Sequence, residues 1–167
     1  CYLNIGVIYF STGNDSKALE YIKQALKMYR AMGTKPWEGI CLHNIGLVYL
    51  NQKKYFQSLN YFKQGLTIAR ETGLRNSEIY HLECIATVHS RLNDIPKSLA
   101  FYDKALELAE KVKSKNREAS ILSNLGNIYL KQKKYSLSTK SFARALSIAL
   151  DLGMPNEAWV SYYGLAL

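Results

Sequence analysis

The sequence predicts an all-α solenoid built from antiparallel helix pairs. The main evidence is a five-residue phrase that begins at Ile5, Ile45, Ile85 and Leu125, and so recurs every 40 residues. Within each unit the apolar residues follow the spacing of a helix rather than the alternation of a strand. The connections between helical stretches are short, which makes neighbouring helices antiparallel. A period of this size is typical of one helix pair stacked repeatedly along an axis.

Each 40-residue unit is predicted to contain two helices. In the second unit they run from Trp37 to about Asn51 and from about Tyr55 to Thr72. In the fourth unit they run from about Arg117 to Lys131 and from Tyr135 to Leu152. The array then has about nine helices in a single domain over residues 1–167, with repeats at about 1–34, 35–74, 75–114 and 115–154 and the start of a fifth at 155–167.

Turn residues predict where these helices begin and end. Asp15 and Asp94 are expected to be N-caps, because a short carboxylate can accept from the free amide groups of a first turn. Glycine follows the second helix of three units, at Gly33, Gly73 and Gly153. A glycine there can close the helix in the left-handed region without a Cβ clash. Lys113 takes that position in the third unit, so its second helix is expected to continue toward Lys115.

Small residues recur at equivalent positions of both helices. They are Gly6, Gly46, Ala86 and Gly126 in the first helices, and Ala25, Gly65, Ala105 and Ala145 in the second helices. We expect the two sets to face each other where the paired helices approach most closely.

Composition and cysteine use narrow the class of protein. The chain has 167 residues, of which 48% are hydrophobic and 21% charged, as expected for an ordered chain. No apolar run approaches the roughly 18 residues that a membrane span needs, and no signal-like N-terminal segment is present. Cys1, Cys41 and Cys84 lack metal-ligand spacing, so we interpret them as small, at least partly buried apolar groups. A cytoplasmic protein without a membrane partner is expected.

No catalytic or metal-binding pattern is complete in the sequence. His81 and Cys84 share a helical face, but the same geometry turns His89 away from it. No set of nucleophile, base and orienting group is present, and neither is a glycine-rich phosphate loop. The sequence therefore predicts a non-enzymatic protein with no metal and no cofactor.

The net charge of +9 raises the question of a nucleic-acid partner. Lys53 and Lys54, like Lys133 and Lys134, lie in turns within a unit, whereas the cluster from Lys111 to Arg117 lies between units. These turns fall on opposite edges of the predicted stack and form no continuous basic stripe. The distribution favours an acidic protein partner over a phosphate backbone.

The repeated units resemble tetratricopeptide repeats. The family pattern is matched by Leu42, Ile45-Gly46, Tyr49, Ser58, Phe62 and Gly65, and again by Leu122, Leu125-Gly126, Tyr129, Ser138, Phe142 and Ala145. The spacing of 40 residues exceeds the usual value of about 34, and the proline that commonly ends the second helix is missing. Repeats of this length are similar to those of spindle-orientation adaptors, kinesin light chains and bacterial peptide-sensing regulators.

This resemblance implies a right-handed superhelix whose first helices line a concave groove for a peptide or a helix of a partner. The residues expected in that groove are Asn4, Val7, His43, Asn44, Leu47, Tyr80, Glu83, Thr87, Ser123, Asn124 and Asn127. The groove is expected to be apolar toward the N-terminus and polar toward the C-terminus. The asparagines could bind the backbone of an extended peptide, or they could bond neighbouring helices and fix the stacking; the sequence leaves both open.

Several functions are compatible with such an array. The first is a protein–protein interaction scaffold. The second is a regulatory or peptide-sensing array that controls an attached effector, such as a CHAT-type protease domain, because the stretch from Asn156 to Ala166 resembles repeats that precede such domains. A receptor for a peptide pheromone is a third. Since the first and last units are incomplete, we expect a fragment of a longer array whose uncapped ends permit self-association.

Overall fold

The computed structural model describes residues 1–155 and Gly164, and within them lie eight α-helices and no strand. The helices are α1 (Tyr2–Ser11), α2 (Asp15–Ala31), α3 (Lys35–Asn51), α4 (Tyr55–Glu71), α5 (Arg75–Arg91), α6 (Ile95–Lys111), α7 (Lys115–Lys131) and α8 (Tyr135–Asp151). This confirms the all-α prediction. The predicted ninth helix begins at residue 155 and lies outside the described residues except for Pro155 and Gly164. None of the described helices combines the length and the apolar character that a bilayer span requires.

Each helix packs against the next one along the chain, as the solenoid prediction requires. We call α1, α3, α5 and α7 the first helices, and α2, α4, α6 and α8 the second helices. The first helices also reach one another directly, because α1 contacts α3 and α5 contacts α7. The first helices therefore lie side by side along one side of the stack.

The small residues of the first helices make room for a large side chain of the paired second helix. A Cβ atom on Gly46 would lie 2.5 Å from the Phe62 ring, and one on Gly126 would lie 2.8 Å from the Phe142 ring. A buried serine of the second helix also hydrogen-bonds to each glycine. Ser58 Oγ donates to the Gly46 carbonyl at 2.8 Å, and Ser138 Oγ donates to the Gly126 carbonyl at 2.9 Å. The expected contact of small residue on small residue was wrong. Gly65, for example, faces the following unit instead.

The helix ends correct two further expectations. Asp94 is an N-cap, as predicted, because its side chain accepts from the backbone N–H of Lys97. The cap of α2 is Asn14 rather than Asp15, which is the first helical residue. Helix α6 ends at Lys111 and does not continue, because Lys113 adopts a left-handed φ of 58°. The lysine thus performs the role that glycine performs in the other units.

Buried glutamates join successive units through ion pairs. Arg30 Nε donates to Glu38 at 2.9 Å, and Arg70 Nε donates to Glu78 at 2.8 Å. Burial alone would raise the pKa of Glu38 and Glu78, but the bonds from the basic side chains hold both below their usual value. Each pair links the end of a second helix to the start of the next first helix.

The third junction, between the third and fourth units, keeps the buried glutamate but has an acidic residue where the first two junctions have arginine. Glu110 stands where the two earlier junctions have arginine, so it cannot neutralise Glu118, whose side chain is 1% exposed. Arg144 of α8 binds both carboxylates, and Lys115 Nζ lies 2.8 Å from Glu118. An arginine from the following helix thus replaces the one missing from α6.

Candidate functional site

The predicted groove residues all lie on first helices, at different depths. Asn4, Val7 and Asn127 are exposed; Asn44, Leu47, Tyr80, Thr87 and Asn124 are half-buried; His43, Glu83 and Ser123 are buried. The structure therefore divides the set into residues that a ligand could touch and residues that support them.

Two of the groove asparagines bond within their own helix. Asn44 Nδ2 donates to the Ile40 carbonyl at 2.8 Å, and Asn127 Nδ2 donates to the Ser123 carbonyl at 3.0 Å. Thr87 Oγ1 donates to the Glu83 carbonyl of its own helix and also hydrogen-bonds to the Tyr102 hydroxyl of α6. These bonds hold the side chains in fixed orientations along the first helices.

An open cavity on this side is lined by residues of α1, α3 and α5. Its volume is about 410 Å³, and its lining includes the apolar side chains of Phe10, Leu47 and Leu50. Two cations also line it: Lys53, in the turn after α3, and Arg91, at the end of α5. Neither has an acidic partner within residues 1–155. We call this cavity the groove depression.

The sequence predicts Leu47 and Thr87 in the groove but neither cation of the groove depression. In the sequence, Lys53 stands out only as part of a charged turn. Arg91 carries no motif, and its place follows from the stacking of α5 on α3. The available signal is positional, because Lys53 follows the end of α3 and Arg91 ends α5, and both are first helices.

A second group of polar side chains fills the crevice between α3 and α5. The centroids of the His43 and Tyr80 rings are 4.4 Å apart. The guanidinium carbon of Arg117 also lies over the Tyr80 ring, 4.2 Å from its centroid. His81 meets His43 edge-on at 5.7 Å. Four aromatic or planar groups from three first helices are thereby held together.

Glu83 is the buried acid of this crevice. It accepts a hydrogen bond from Ser120 at 3.0 Å, and Arg117 lies 3.6 Å away. Burial raises the pKa of Glu83 to about 7, which the opposing effects of Arg117 and Ser120 only moderate. The carboxyl therefore changes its charge near neutral pH.

Cys84 and His43 have the wrong protonation chemistry for a nucleophile and its base. Their Sγ and Nδ1 atoms are 4.0 Å apart. Burial raises the pKa of the Cys84 thiol to about 12 and lowers the pKa of His43 to about 3. A reactive cysteine needs a thiolate at neutral pH, and both shifts oppose it. Of the other cysteines, Cys41 is buried as expected, whereas Cys1 is exposed, contrary to expectation.

The structure brings no metal site together in the part of the chain that it describes. No group of three or more His, Cys, Asp or Glu side chains there could hold an ion. His89 stacks on Phe101 with ring centroids 5.6 Å apart and so packs within its own unit.

The stacked helix pairs and the groove beside their first helices define a helical repeat protein. The family model for the tetratricopeptide repeat matches residues 1–71 and 77–151, so the chain belongs to the tetratricopeptide repeat family. No curated protein sequence matches the chain significantly.

Solved structures of other repeat proteins have the same fold. BtubC from P. vanneervenii is 20% identical, with a TM-score of 0.82 over 96% of this chain. A Rap protein complexed with Competence and Sporulation Factor is 21% identical, with a TM-score of 0.83 over 98%. A Signal Transduction ATPase with Numerous Domains from Pyrococcus horikoshii, which has a tetratricopeptide repeat sensor, is 22% identical, with a TM-score of 0.83 over 99%. The chain spans 67%, 46% and 26% of these proteins, respectively.

Proposed function

We propose that this chain is a protein–protein interaction scaffold that binds an extended segment of a partner along its first helices. The observation that supports this most is the groove depression, which combines an apolar floor with two cations that lack acidic partners. Such a surface suits a peptide that carries an apolar side chain next to a carboxylate. This is the acidic partner that the charge distribution favours.

The test begins with peptides selected from a random library displayed on phage, followed by affinity measurements on synthetic copies. Replacing Lys53 and Arg91 together by alanine should weaken binding about 10-fold to 100-fold, because charge-assisted hydrogen bonds contribute about 1.5–3 kcal/mol. The salt dependence of binding should fall as well. The matched control is Lys133→Ala, at the turn position equivalent to Lys53, which should leave the affinity within about twofold. Selected peptides that bind the double variant as well as the natural chain would contradict the proposal.

A second candidate is a regulatory array that acts on an effector elsewhere in a larger protein. Two similar structures support it, because this chain spans only 46% of the Rap protein and 26% of the Pyrococcus horikoshii ATPase. In the latter, the repeats are described as a sensor. The effector could be a CHAT-type protease, as the sequence resemblance suggests. Full-length protein should then change its effector activity when a groove-binding peptide is added, and an unchanged activity at saturating peptide would contradict this role.

We infer that the segment itself acts by binding rather than by catalysis. The protonation states of Cys84 and His43 oppose nucleophilic chemistry. In a hydrolase screen on ester and peptide substrates, the natural chain and Cys84→Ser should show the same background rate. A rate that Cys84→Ser abolishes would contradict this inference.

A further inference from the structure

A second cavity opens between α3 and α5 near their first turns. Its volume is about 190 Å³. Its walls include Ile40 and His43 from α3, Ile68 from α4, and Tyr80 and His81 from α5. His43 and Tyr80 are among the residues predicted to face the groove, so the cavity adjoins the surface along which a partner segment would run.

The cavity depends on a missing side chain at Gly39. The equivalent positions in α5 and α7 are Ile79 and Ala119, and both side chains are fully buried. A Cβ atom on Gly39 would have a single neighbour within 4 Å outside its own helix, Ile68 Cγ2 at 3.6 Å, which is an ordinary contact. Packing therefore does not require glycine here, although it does require small residues at Gly46 and Gly65.

The walls are aromatic, and they are held in place by their neighbours. The rings of His43 and Tyr80 are 4.4 Å apart, and Arg117 lies over the Tyr80 ring at 4.2 Å. His81 is 3% exposed, and its Nδ1 atom has no hydrogen-bond partner among the described residues. A site whose lining is fixed before binding loses little entropy when a guest enters.

The cavity is also unfavourable to charge. Burial lowers the pKa of His43 to about 3 and that of His81 to about 4, so both rings are neutral at physiological pH. A cationic guest would meet the same loss of hydration that keeps these imidazoles unprotonated.

We propose that this cavity is an anchor pocket that holds one uncharged aromatic side chain of a partner peptide. A cavity of about 150 Å³ lined by apolar side chains can hold benzene, so about 190 Å³ suits a phenyl or phenol ring. The inference rests on the proposed function, because it assigns the pocket to a peptide bound along the first helices.

The first experiment uses p-cresol, which has the structure of a tyrosine side chain, and benzylamine, a cation of similar size. The whole chain is labelled at its isoleucine methyl groups and titrated while NMR spectra are recorded. The p-cresol should cause saturable shifts at Ile40 and Ile68, and benzylamine should bind at least tenfold more weakly. Equal binding of the two probes, or no saturable shift with p-cresol, would overturn the proposal.

The second experiment fills the pocket by Gly39→Ile, which reproduces the residue of the third unit. Binding of p-cresol should weaken at least tenfold, while the melting temperature should not fall, because glycine inside a helix is itself destabilising. Gly39→Ala is the milder variant and should weaken binding in the same direction. Asn60→Ile, on the exposed side of α4, adds the same side chain elsewhere and should leave binding unchanged. Unchanged p-cresol binding in both Gly39 variants would overturn the proposal.

The same variants separate this inference from the proposed function. Selected peptides that depend on Lys53 and Arg91 but bind Gly39→Ile normally would refute the anchor pocket and leave the groove function standing. If no peptide is selected while p-cresol still binds, the proposed function fails, and the pocket accepts a free aromatic molecule rather than a peptide side chain.

Discussion

At the scale of single residues, Gly65 and His81 are in contact, and both positions carry different residues at the other junctions. A Cβ atom on Gly65 would lie 2.2 Å from the His81 ring, which is closer than any side chain tolerates. The equivalent pairs are Ala25 with Cys41 and Ala105 with Ile121, where alanine faces a side chain of different shape. The bulky imidazole is therefore compatible only with the glycine opposite it.

We predict that Gly65→Ala destabilises the chain although alanine is the better helix former. Overpacking against His81 should lower the free energy of unfolding by about 1–3 kcal/mol, as measured by urea denaturation. The double variant Gly65→Ala with His81→Ile copies the pair of the third junction and should recover most of the loss. If the two substitutions simply add, the contact between these residues is not the cause.

A second residue-scale prediction concerns Glu83. Burial raises its pKa in the folded chain to about 7, well above the usual value of a glutamate, so folding favours the protonated acid. Its stabilising contribution is therefore complete below about pH 4.5 and is lost as the pH rises toward 7. Glu83→Gln should gain stability relative to the natural chain between pH 5 and pH 8, by about 1–3 kcal/mol. A difference that does not vary with pH across this range would contradict the prediction.

At the scale of helices, the junctions show how one element compensates for another. The glutamate that starts a first helix is repeated at Glu38, Glu78 and Glu118, but only two of the preceding second helices supply an arginine. In the third junction the arginine comes from α8, where the equivalent residue of α4 is Gln64. A salt bridge between units is thus preserved by a different helix.

We predict that Arg144→Gln destabilises the chain by about 1–3 kcal/mol. The substitution leaves the carboxylates of Glu110 and the buried Glu118 close together, with Lys115 as the one remaining cation paired with Glu118 among the described residues. Adding Glu110→Arg rebuilds the arrangement of the first two junctions and should restore stability in urea denaturation. Arg30→Ala serves as the comparison, since Glu38 keeps Lys35 and has no acidic neighbour of this kind. A double variant that is less stable than Arg144→Gln would contradict this account.

A third prediction at this scale concerns the connection after α6. Lys113 has a φ of 58°, which costs a residue with a Cβ about 1 kcal/mol, and glycine avoids that cost. Lys113→Gly should therefore raise the melting temperature. Lys111→Gly, within the last turn of the helix, should lower it, and the opposite ranking of the two variants would contradict the prediction.

The sequence predicted the helices well because their apolar spacing and the 40-residue register are local properties. It could not predict that Lys113 ends a helix, since lysine rarely adopts the left-handed φ found there. The sequence predicted only those groove residues whose position follows from the repeat register. Leu47 follows from the register, whereas Arg91 and the cavity beside Gly39 depend on which side chains of three helices meet.

At the scale of the whole molecule, α1 exposes apolar side chains at positions that are buried in the later first helices. Ile8 is 61% exposed, while its equivalents Val48 and Val88 are fully buried in the core. The exposed face of α1 thus has the chemistry of an internal junction. We propose that it mediates self-association of this chain through apolar contact.

The corresponding prediction is that the chain associates reversibly as its concentration rises and that Ile8→Lys abolishes this in sedimentation equilibrium. Leu150→Lys, which removes an exposed apolar side chain from α8, is the matched variant at the other end. A monomer at all concentrations, or association that survives both substitutions, would contradict the proposal.

Mapping a selected peptide by NMR tests most directly whether a partner segment binds along the first helices. We expect amide and methyl shifts to concentrate at Phe10, Leu47, Leu50 and Arg91, with little change on the exposed faces of α2, α4 and α6. Shifts confined to those second-helix faces, with the groove depression unaffected, would contradict it.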